Sequence, residues 1–180
     1  EDEFFWNRYR NHLINYERLD INSVNKLESE TLANLMNCLG NPNDVIKGKR
    51  LRRGLVIGDV QSGKTATYAG LICKAADAGY KVVILLTGIT ESLRKQTQER
   101  MEEGIIGFTI RVDENGRMQK KLERVGVGLD NKEIKATAFT SYQDDFRGNV
   151  DNIVTTLNSH RSLVMFIVKK NVSVLTKLYN

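Results

Sequence analysis

The sequence predicts an α/β fold: a mostly parallel sheet with helices on both faces, preceded by a short N-terminal helical appendage. Two continuous apolar runs, 81–86 (KVVILL) and 163–168 (LVMFIV), are typical of parallel strands covered on both faces. The largely apolar segment 63–78 has the composition of a buried helix and lies directly before the first run. A strand at 54–57, this helix and the strand at 81–86 would form one right-handed crossover unit.

The N-terminal segment carries the periodicity of two amphipathic helices. One is predicted over residues 1–19 and the other over residues 22–39, where Gly40 and Pro42 end the pattern. The first has an aromatic and apolar stripe at spacings of three and four residues, formed by Phe5, Tyr9, Leu13 and Tyr16. We therefore predict a helical segment at 1–46 and the main domain at 47–180.

Composition places few limits on function. The chain has 180 residues and a formal net charge of +5, which is compatible with a polyanionic partner such as nucleic acid. Cys38 and Cys73 lie in apolar helical contexts and are predicted to be buried free thiols, which favours a reducing, cytoplasmic setting. No apolar run reaches the roughly 18 residues of a membrane span, so no membrane association is predicted.

The strongest motif is GDVQSGKT at residues 58–65, which fits G-x-x-x-x-G-K-[ST], the phosphate-binding P-loop. It follows the predicted strand at 54–57 and opens the predicted helix at 63–78. Glycines allow the backbone to curl so that several N–H groups face a phosphate. The residues predicted to bind nucleotide are Gly58, Asp59, Val60, Gln61, Ser62, Gly63, Lys64, Thr65 and Ala66.

Two residues of this motif carry the predicted chemistry with ATP. Lys64 would place its charge on the β- and γ-phosphates, and Thr65 would offer its hydroxyl to Mg²⁺. The following helix would direct its positive N-terminal end to the same place. The alternative is a glycine-rich turn between a strand and a helix that binds nothing.

A helix is predicted over residues 91–103, with Thr90 as its N-cap and Leu93, Thr97 and Met101 as its packing edge. Arg94 and Gln98 would form a polar, cationic face, either exposed to solvent or in contact with a nucleic-acid backbone. Further along, we predict a strand at 105–112, a long loop at 113–132, a strand at 133–140, a loop at 141–148, and helices at 150–158 and 171–179.

Residues 54–100 (GLVIGDVQSGKTATYAGLICKAADAGYKVVILLTGITESLRKQTQER) resemble the core of the Z-one (Z1) domain family. The segments FTSYQDDF and FIVKKNVSVLTKLY are also similar to that family, so the resemblance runs from Leu55 to the C-terminus. The family is described as endonucleases or helicase-like ATPases. The resemblance implies a P-loop NTPase fold, ATP and Mg²⁺ as ligands, DNA as partner, and a role in restriction or phage defence.

Superfamily-two helicases, which this family resembles, contact nucleic acid through motifs that follow later strands. By that resemblance, Thr87, Arg94 and Gln96 follow the second strand in this chain, and Lys169 and Lys170 follow a later one. The acidic segment that holds Mg²⁺ and orients the attacking water has no counterpart before Asn180. We therefore expect a fragment truncated before this strand, which binds ATP, hydrolyses it poorly and relies on the C-terminal remainder of the same protein.

Two other functions remain open from the sequence. An ATP-dependent endonuclease would need a carboxylate cluster, for which the neighbouring Asp144 and Asp145 are the available candidates. A small-molecule kinase would need a mobile lid with arginines, and the segment 113–132 with Arg111, Arg117 and Arg124 in or beside it is the candidate. The oligomeric state and any other subunits are not indicated.

Overall fold

The computed structural model describes residues 3–43, 52–57, 63–111, 121–143, 145 and 163–179. Contacts divide the chain into two compact units, Glu1–Tyr80 and Lys81–Asn180. The division predicted at residues 46 and 47 falls inside the first unit and stays a prediction about domains. No helix among the described residues is long and apolar enough to cross a membrane.

The first unit is helical in its described part. It contains α1 (Phe4–Asn15), α2 (Ile21–Lys26), a π-helical turn (Leu27–Leu32), α3 (Ala33–Leu39) and α4 (Lys64–Asp77). The helices predicted at 1–19 and 63–78 are confirmed as α1 and α4. The helix predicted at 22–39 is also confirmed, since α2, the π-helical turn and α3 run through it without a break. Asp20 caps α2 by accepting from the backbone N–H groups of Asn22 and Ser23, and Gly40 ends α3 with a φ of 73°.

The core of this unit lies between α1 and α4. Trp6, Tyr9 and Leu13 of α1 are buried, as are Ala69 and Cys73 of α4. We predicted that α4 packs against a sheet, but the partners described within its unit are α1, the π-helical turn and α3. Its many small and apolar residues suit close helix packing equally well, which the sequence pattern does not distinguish.

The two cysteines differ in burial. Cys73 is buried as predicted, and burial raises the pKa of its thiol well above the ordinary value. The prediction for Cys38 is wrong, since this thiol is exposed near the end of α3. Both are free thiols.

The strand predicted at 54–57 is absent. Residues 52–57 have no regular secondary structure, and Leu55, Val56 and Ile57 are 84%, 54% and 86% exposed. A strand needs a neighbour that pairs with its backbone N–H and C=O groups. Among the described residues, the parallel sheet contains only the strands Val82–Thr87, Ala136–Ala138 and Leu163–Lys169.

A carboxylate at the end of α4 caps the start of α1. Both oxygens of Asp77 accept hydrogen bonds of 2.9 Å, one from the N–H of Phe5 and one from the N–H of Trp6. These N–H groups have no partner within their own helix, and the adjacent Glu3 makes no side-chain cap. Burial raises the pKa of Asp77, in opposition to the two hydrogen bonds.

Asp77→Ala is expected to lower the free energy of unfolding by about 1–2 kcal/mol, the usual effect of removing a helix cap. Urea unfolding followed by far-UV circular dichroism measures this. Glu30→Ala, at an exposed position of the π-helical turn, is the control and should change stability by less than about 0.5 kcal/mol. Equal unfolding midpoints for the two variants would contradict the capping role.

The second unit contains a three-stranded parallel sheet in the order β1 (Val82–Thr87), β5 (Leu163–Lys169), β4 (Ala136–Ala138). The predicted α/β class is therefore confirmed, whereas the P-loop NTPase fold stays a prediction. An antiparallel hairpin joins β2 (Phe108–Arg111) to β3 (Lys121–Arg124). The helices are α5 (Glu91–Met101), continued by a π-helical turn (Glu102–Ile106), then α6 (Val127–Asp130) and α7 (Val172–Tyr179).

The two long strands differ in how well they are covered. Residues 163–168 of β5 are all buried, as predicted, and Val174 of α7 packs against one face of this strand. The strand predicted at 81–86 is confirmed as β1, but its predicted coverage on both faces is wrong, because Val82, Ile84 and Leu86 are exposed. These three pair in register with Val164, Phe166 and Val168, the β5 residues packed with Val174, so α7 covers β5 and leaves β1 open on this face.

Several elements predicted after residue 104 differ in extent from those in the structure. The strand predicted at 105–112 begins only at Phe108, since the π-helical turn extends α5 as far as Ile106. The loop predicted at 113–132 instead contains β3 and α6. Here β3 pairs with β2, and Gly128 of α6 lies close to the backbone of Gly107. The strand at 133–140 is shorter than predicted, and the closing helix is confirmed as α7. The predicted helix at 150–158 lies outside the described residues.

Candidate functional site

The P-loop sequence is described only where it enters α4. Gly63 has left-handed backbone angles (φ 73°, ψ 23°), and Lys64 is the first residue of the 14-residue helix. Lys64 is exposed, Thr65 is half-buried and Ala66 is buried. Gly58, Asp59, Val60, Gln61 and Ser62 lie outside the described residues.

This helix start has features that suit an anion. Glycine reaches a positive φ without the steric cost that a side chain brings. The first N–H groups of a long helix have no partner within it, and they lie at the positive end of its dipole. A lysine and a hydroxyl in the first turn add a charge and a metal ligand to these groups, so the residues present fit a phosphate with Mg²⁺.

A second candidate region is the carboxyl edge of the parallel sheet, where α5 begins. Parallel α/β sheets usually bind ligands at this edge. Here β1 ends at Thr87, β5 ends at Lys169, and residues 139–143 follow β4. The predicted N-cap is confirmed, since the hydroxyl of Thr90 accepts from the N–H of Leu93 at 3.4 Å.

Glu91 connects two cations at this edge. Its Oε1 accepts from Nε and Nη2 of Arg94 at 2.8 and 2.6 Å, and its Oε2 lies 2.8 Å from Nζ of Lys169. The Arg94 hydrogen bond, with a further contribution from Lys169, lowers the pKa of Glu91 from 4.5 to about 2. The same pairing with Glu91 raises the pKa of Lys169.

Arg94 is 0% exposed, and its side chain reaches the segment that follows β4. Nη1 donates to the carbonyl of Ser141 at 2.8 Å, and Nη2 donates to the carbonyl of Tyr142 at 2.9 Å. A phosphate backbone cannot reach this guanidinium unless these bonds break. The predicted nucleic-acid contact through Arg94 is therefore replaced by a structural role, as a positioning residue for residues 139–143.

The buried face of α5 is mostly polar. Arg94 and Gln98 are fully buried together with Met101, which confirms Met101 as a packing residue, whereas Leu93, another predicted packing residue, is 49% exposed. Gln98 donates to the carbonyl of Thr140 at 3.1 Å and accepts from its hydroxyl at 2.8 Å. The prediction placed apolar residues inward, but polar side chains can be buried when their hydrogen bonds are satisfied, as they are here.

A further contact ties the segment after β4 to the central strand. The hydroxyl of Thr140 accepts from the N–H of Ile167 at 3.1 Å, which connects the segment to β5. Gln98 also donates to Glu102 at 2.8 Å, and burial raises the pKa of that carboxyl group. Residues 139–143 are therefore anchored both by α5 and by the central strand.

The other predicted nucleic-acid residues lie at or near the surface. Gln96 and Lys170 are exposed. Lys169 is half-buried and pairs with Glu91 and, at 3.6 Å, with Asp145. Thr87 donates to the carbonyl of Val168 at 3.2 Å. Gln96, Lys169 and Lys170 remain candidates, with Lys169 already in contact with two carboxylates.

A cavity of about 430 Å³ opens in the second unit. Its lining is mainly acidic and polar, with Glu99, Glu102, Glu103, Thr109, Val125, Tyr142 and Gln143. No group of three or more histidine, cysteine, aspartate or glutamate side chains suited to a metal occurs in the described part of the chain. A metal-binding carboxylate cluster of the kind that an endonuclease would need is therefore not found among the described residues. The candidate Asp144 lies outside the described residues.

The chain was compared with protein-family models, with curated proteins and with solved structures, and none of the three comparisons finds a match. The resemblance to the Z-one domain family thus rests on the quoted motifs alone. The kinase lid also stays a prediction, because residues 112–120 lie outside the described part while Arg124 ends β3.

Sequence reasoning missed the contacts that build the carboxyl edge, which are made by the side chains of Glu91, Gln98 and Thr140 and by the backbone carbonyl of Tyr142. Glu91 and Arg94 are three residues apart on one helix, a spacing that favours an ion pair and could have been recognised. The partners of Gln98 are 42 residues away, so no local pattern indicates them.

Proposed function

We propose that this chain binds the phosphates of ATP, with Mg²⁺, at the N-terminus of α4, as the nucleotide-binding part of a helicase-like ATPase that acts on DNA. The observation that carries the proposal is left-handed Gly63 followed directly by Lys64 at the start of a long helix. This is the local geometry that a G-K-[ST] sequence needs to direct backbone N–H groups at an anion.

Lys64 and Thr65 would have separate tasks in this site. Lys64 would neutralise charge on the β- and γ-phosphates, while the hydroxyl of Thr65 would bind Mg²⁺. Bound Mg²⁺ supplies charge neutralisation between the β- and γ-phosphates. Residues 58–63 would supply the remaining backbone N–H groups of the cradle.

The proposal assigns nucleotide binding, and not efficient hydrolysis, to the described residues. Efficient hydrolysis needs an unpaired carboxylate for Mg²⁺ and another to orient water. Among the described residues at the carboxyl edge, Glu91 pairs with Arg94 and Lys169, and Asp145 also lies beside Lys169. The acidic residues for hydrolysis would then come from outside the described residues, and a role in restriction or phage defence rests on the Z-one resemblance.

The proposal is tested by titrating the protein with a fluorescent ATP analogue, with and without Mg²⁺. Lys64→Ala is expected to weaken binding about 10–150-fold, the loss of one charge-assisted contact of about 1.5–3 kcal/mol. Thr65→Ala should remove most of the increase in affinity that Mg²⁺ produces. Lys81→Ala, at an exposed lysine in the second unit, is the control and should bind as the wild type does.

Equal affinity of the wild type and Lys64→Ala would overturn the proposed site. ATP turnover measured on the same samples should be close to background. Turnover well above background that Lys64→Ala abolishes would place the missing acidic residues within this chain.

A further inference from the structure

An exposed aromatic ring, that of Tyr142, lies at the carboxyl edge of the sheet. Tyr142 is 37% exposed and lies in the segment that follows β4. The ammonium of Lys95, on α5, lies 4.7 Å from the centre of the tyrosine ring. Since Lys95 covers one face of the ring, a base would stack on the other face, and an aromatic ring with a cation next to it is the combination that binds single-stranded nucleic acid by stacking and charge neutralisation.

The backbone that carries this ring is held from inside the protein. Arg94 donates to the carbonyl of Tyr142 itself at 2.9 Å and to the carbonyl of Ser141 at 2.8 Å. Gln98 makes two hydrogen bonds with Thr140, at 3.1 and 2.8 Å. A ring on a segment anchored in this way loses less conformational entropy on binding than a ring on an unanchored loop.

The charges around the ring would orient a bound strand. Lys95 lies over the ring, and Lys169 is joined to the same segment through Glu91 and Arg94. Tyr142 also lines the acidic cavity together with Glu99 and Glu103. Those carboxylates repel phosphate, so a bound strand would pass its phosphates on the lysine side of the ring.

We propose that Tyr142 is a stacking position for an unpaired base of single-stranded nucleic acid, and that Lys95 contacts the phosphate backbone beside it. This inference rests on the nucleic-acid part of the proposed function. It goes further by naming the strand type and the contact residue. Paired bases inside a duplex present their edges and not their faces, so the site distinguishes single strands from duplexes.

The test is fluorescence anisotropy with a labelled 20-nucleotide oligothymidine and with a labelled duplex of similar length. Tyr142→Leu is expected to weaken binding to the single strand about 5–150-fold, since one stacked base contributes about 1–3 kcal/mol. Tyr142→Phe keeps the ring and should bind as the wild type does. Duplex binding should change less than twofold in either variant.

The salt dependence of binding separates the two residues. Tyr142→Leu should leave the slope of log affinity against log salt unchanged, because stacking releases no counterion. Lys95→Gln should reduce that slope by about 0.7, the value for one phosphate contact on a single strand. Tyr16→Leu, at an exposed tyrosine in the first unit, is the matched control and should change neither affinity nor slope.

Three results would overturn the inference: absence of single-strand binding by the wild type, equal weakening by Tyr142→Phe and Tyr142→Leu, or equal weakening for single strand and duplex. Thermal unfolding of each variant shows whether a loss of binding is a loss of fold, and Tyr142→Phe keeps the test valid if Tyr142→Leu unfolds. ATP binding by the wild type, measured on the same samples, separates the two proposals. If the wild type binds ATP but not the single strand, the stacking site alone is overturned. If the wild type does not bind ATP, the proposed function is overturned.

Discussion

Replacing Arg94 with methionine is expected to lower the free energy of unfolding by about 2–4 kcal/mol. The change removes a fully buried cation that holds Glu91 and leaves the carbonyls of Ser141 and Tyr142 without their donors. Breaking a buried ion pair or removing a donor from a buried acceptor costs amounts of this size. Because Glu91 is partly exposed and keeps Lys169, the loss should fall below the largest values known for buried pairs.

Urea unfolding with a constant m-value measures the Arg94→Met effect. Gln96→Met, at an exposed position two residues further along the same helix, is the control and should change stability by less than about 0.5 kcal/mol. A loss below about 1 kcal/mol in Arg94→Met would show that water or other groups satisfy the segment after β4 without the arginine.

The same substitution has a defined pH dependence. In the wild type the pKa of Glu91 is lowered from 4.5 to about 2, so its contribution to stability is present above pH 4.5 and is lost as the pH falls toward 2. In Arg94→Met the pKa of Glu91 should rise toward its ordinary value, with Lys169 still lowering it. The stability difference between the two proteins should therefore shrink between pH 4.5 and 2, and carbon-13 NMR of the Glu91 carboxyl group follows the titration directly.

Gly128→Ala is expected to destabilise the protein by about 3 kcal/mol. A Cβ atom at this position would lie 1.8 Å from the carbonyl oxygen of Gly107, and the neighbouring atoms it would meet are all backbone. Backbone atoms cannot rotate away as a flexible side chain can, so α6 and Gly107, which follows the π-helical turn, would have to move apart. The hairpin β2–β3 lies between these two segments in the chain and would be displaced with them.

Gly54→Ala is the matched control for this prediction, because a Cβ at Gly54 would meet nothing within 4 Å. Its unfolding midpoint should be close to that of the wild type. Equal stability of the two alanine variants would show that the close approach of Gly128 to Gly107 is not required in the folded state.

Local patterns in the sequence were sufficient to predict most helices and the central strand. Periodic apolar residues indicated α1, the helix from Ile21 to Leu39, and α4, and continuous apolar runs indicated β1 and β5. The segment 54–57 has similar composition but no strand beside it among the described residues, since strand formation depends on pairing partners and not on residue type alone.

The candidate sites divide in the same way. Lys64 at the start of a helix follows from a motif of eight consecutive residues, so the sequence was sufficient to predict it. Arg94 was expected at the surface because arginine is rarely buried. Its partners, Ser141 and Tyr142, lie 47 and 48 residues away, and only the folded chain brings these groups together.

The hydrogen bonds between α5 and residues 139–143 also have a mechanical consequence. Five hydrogen bonds cross from one element to the other or onto β5, and four of them involve the charged group of Arg94 or the Thr140 hydroxyl. A force on the first turn of α5 therefore moves the helix and this segment as one stiff body, unless charge-assisted bonds break first. The two elements should therefore open as a single cooperative unit, so that their backbone amide protons exchange with solvent at similar rates in a hydrogen-exchange experiment.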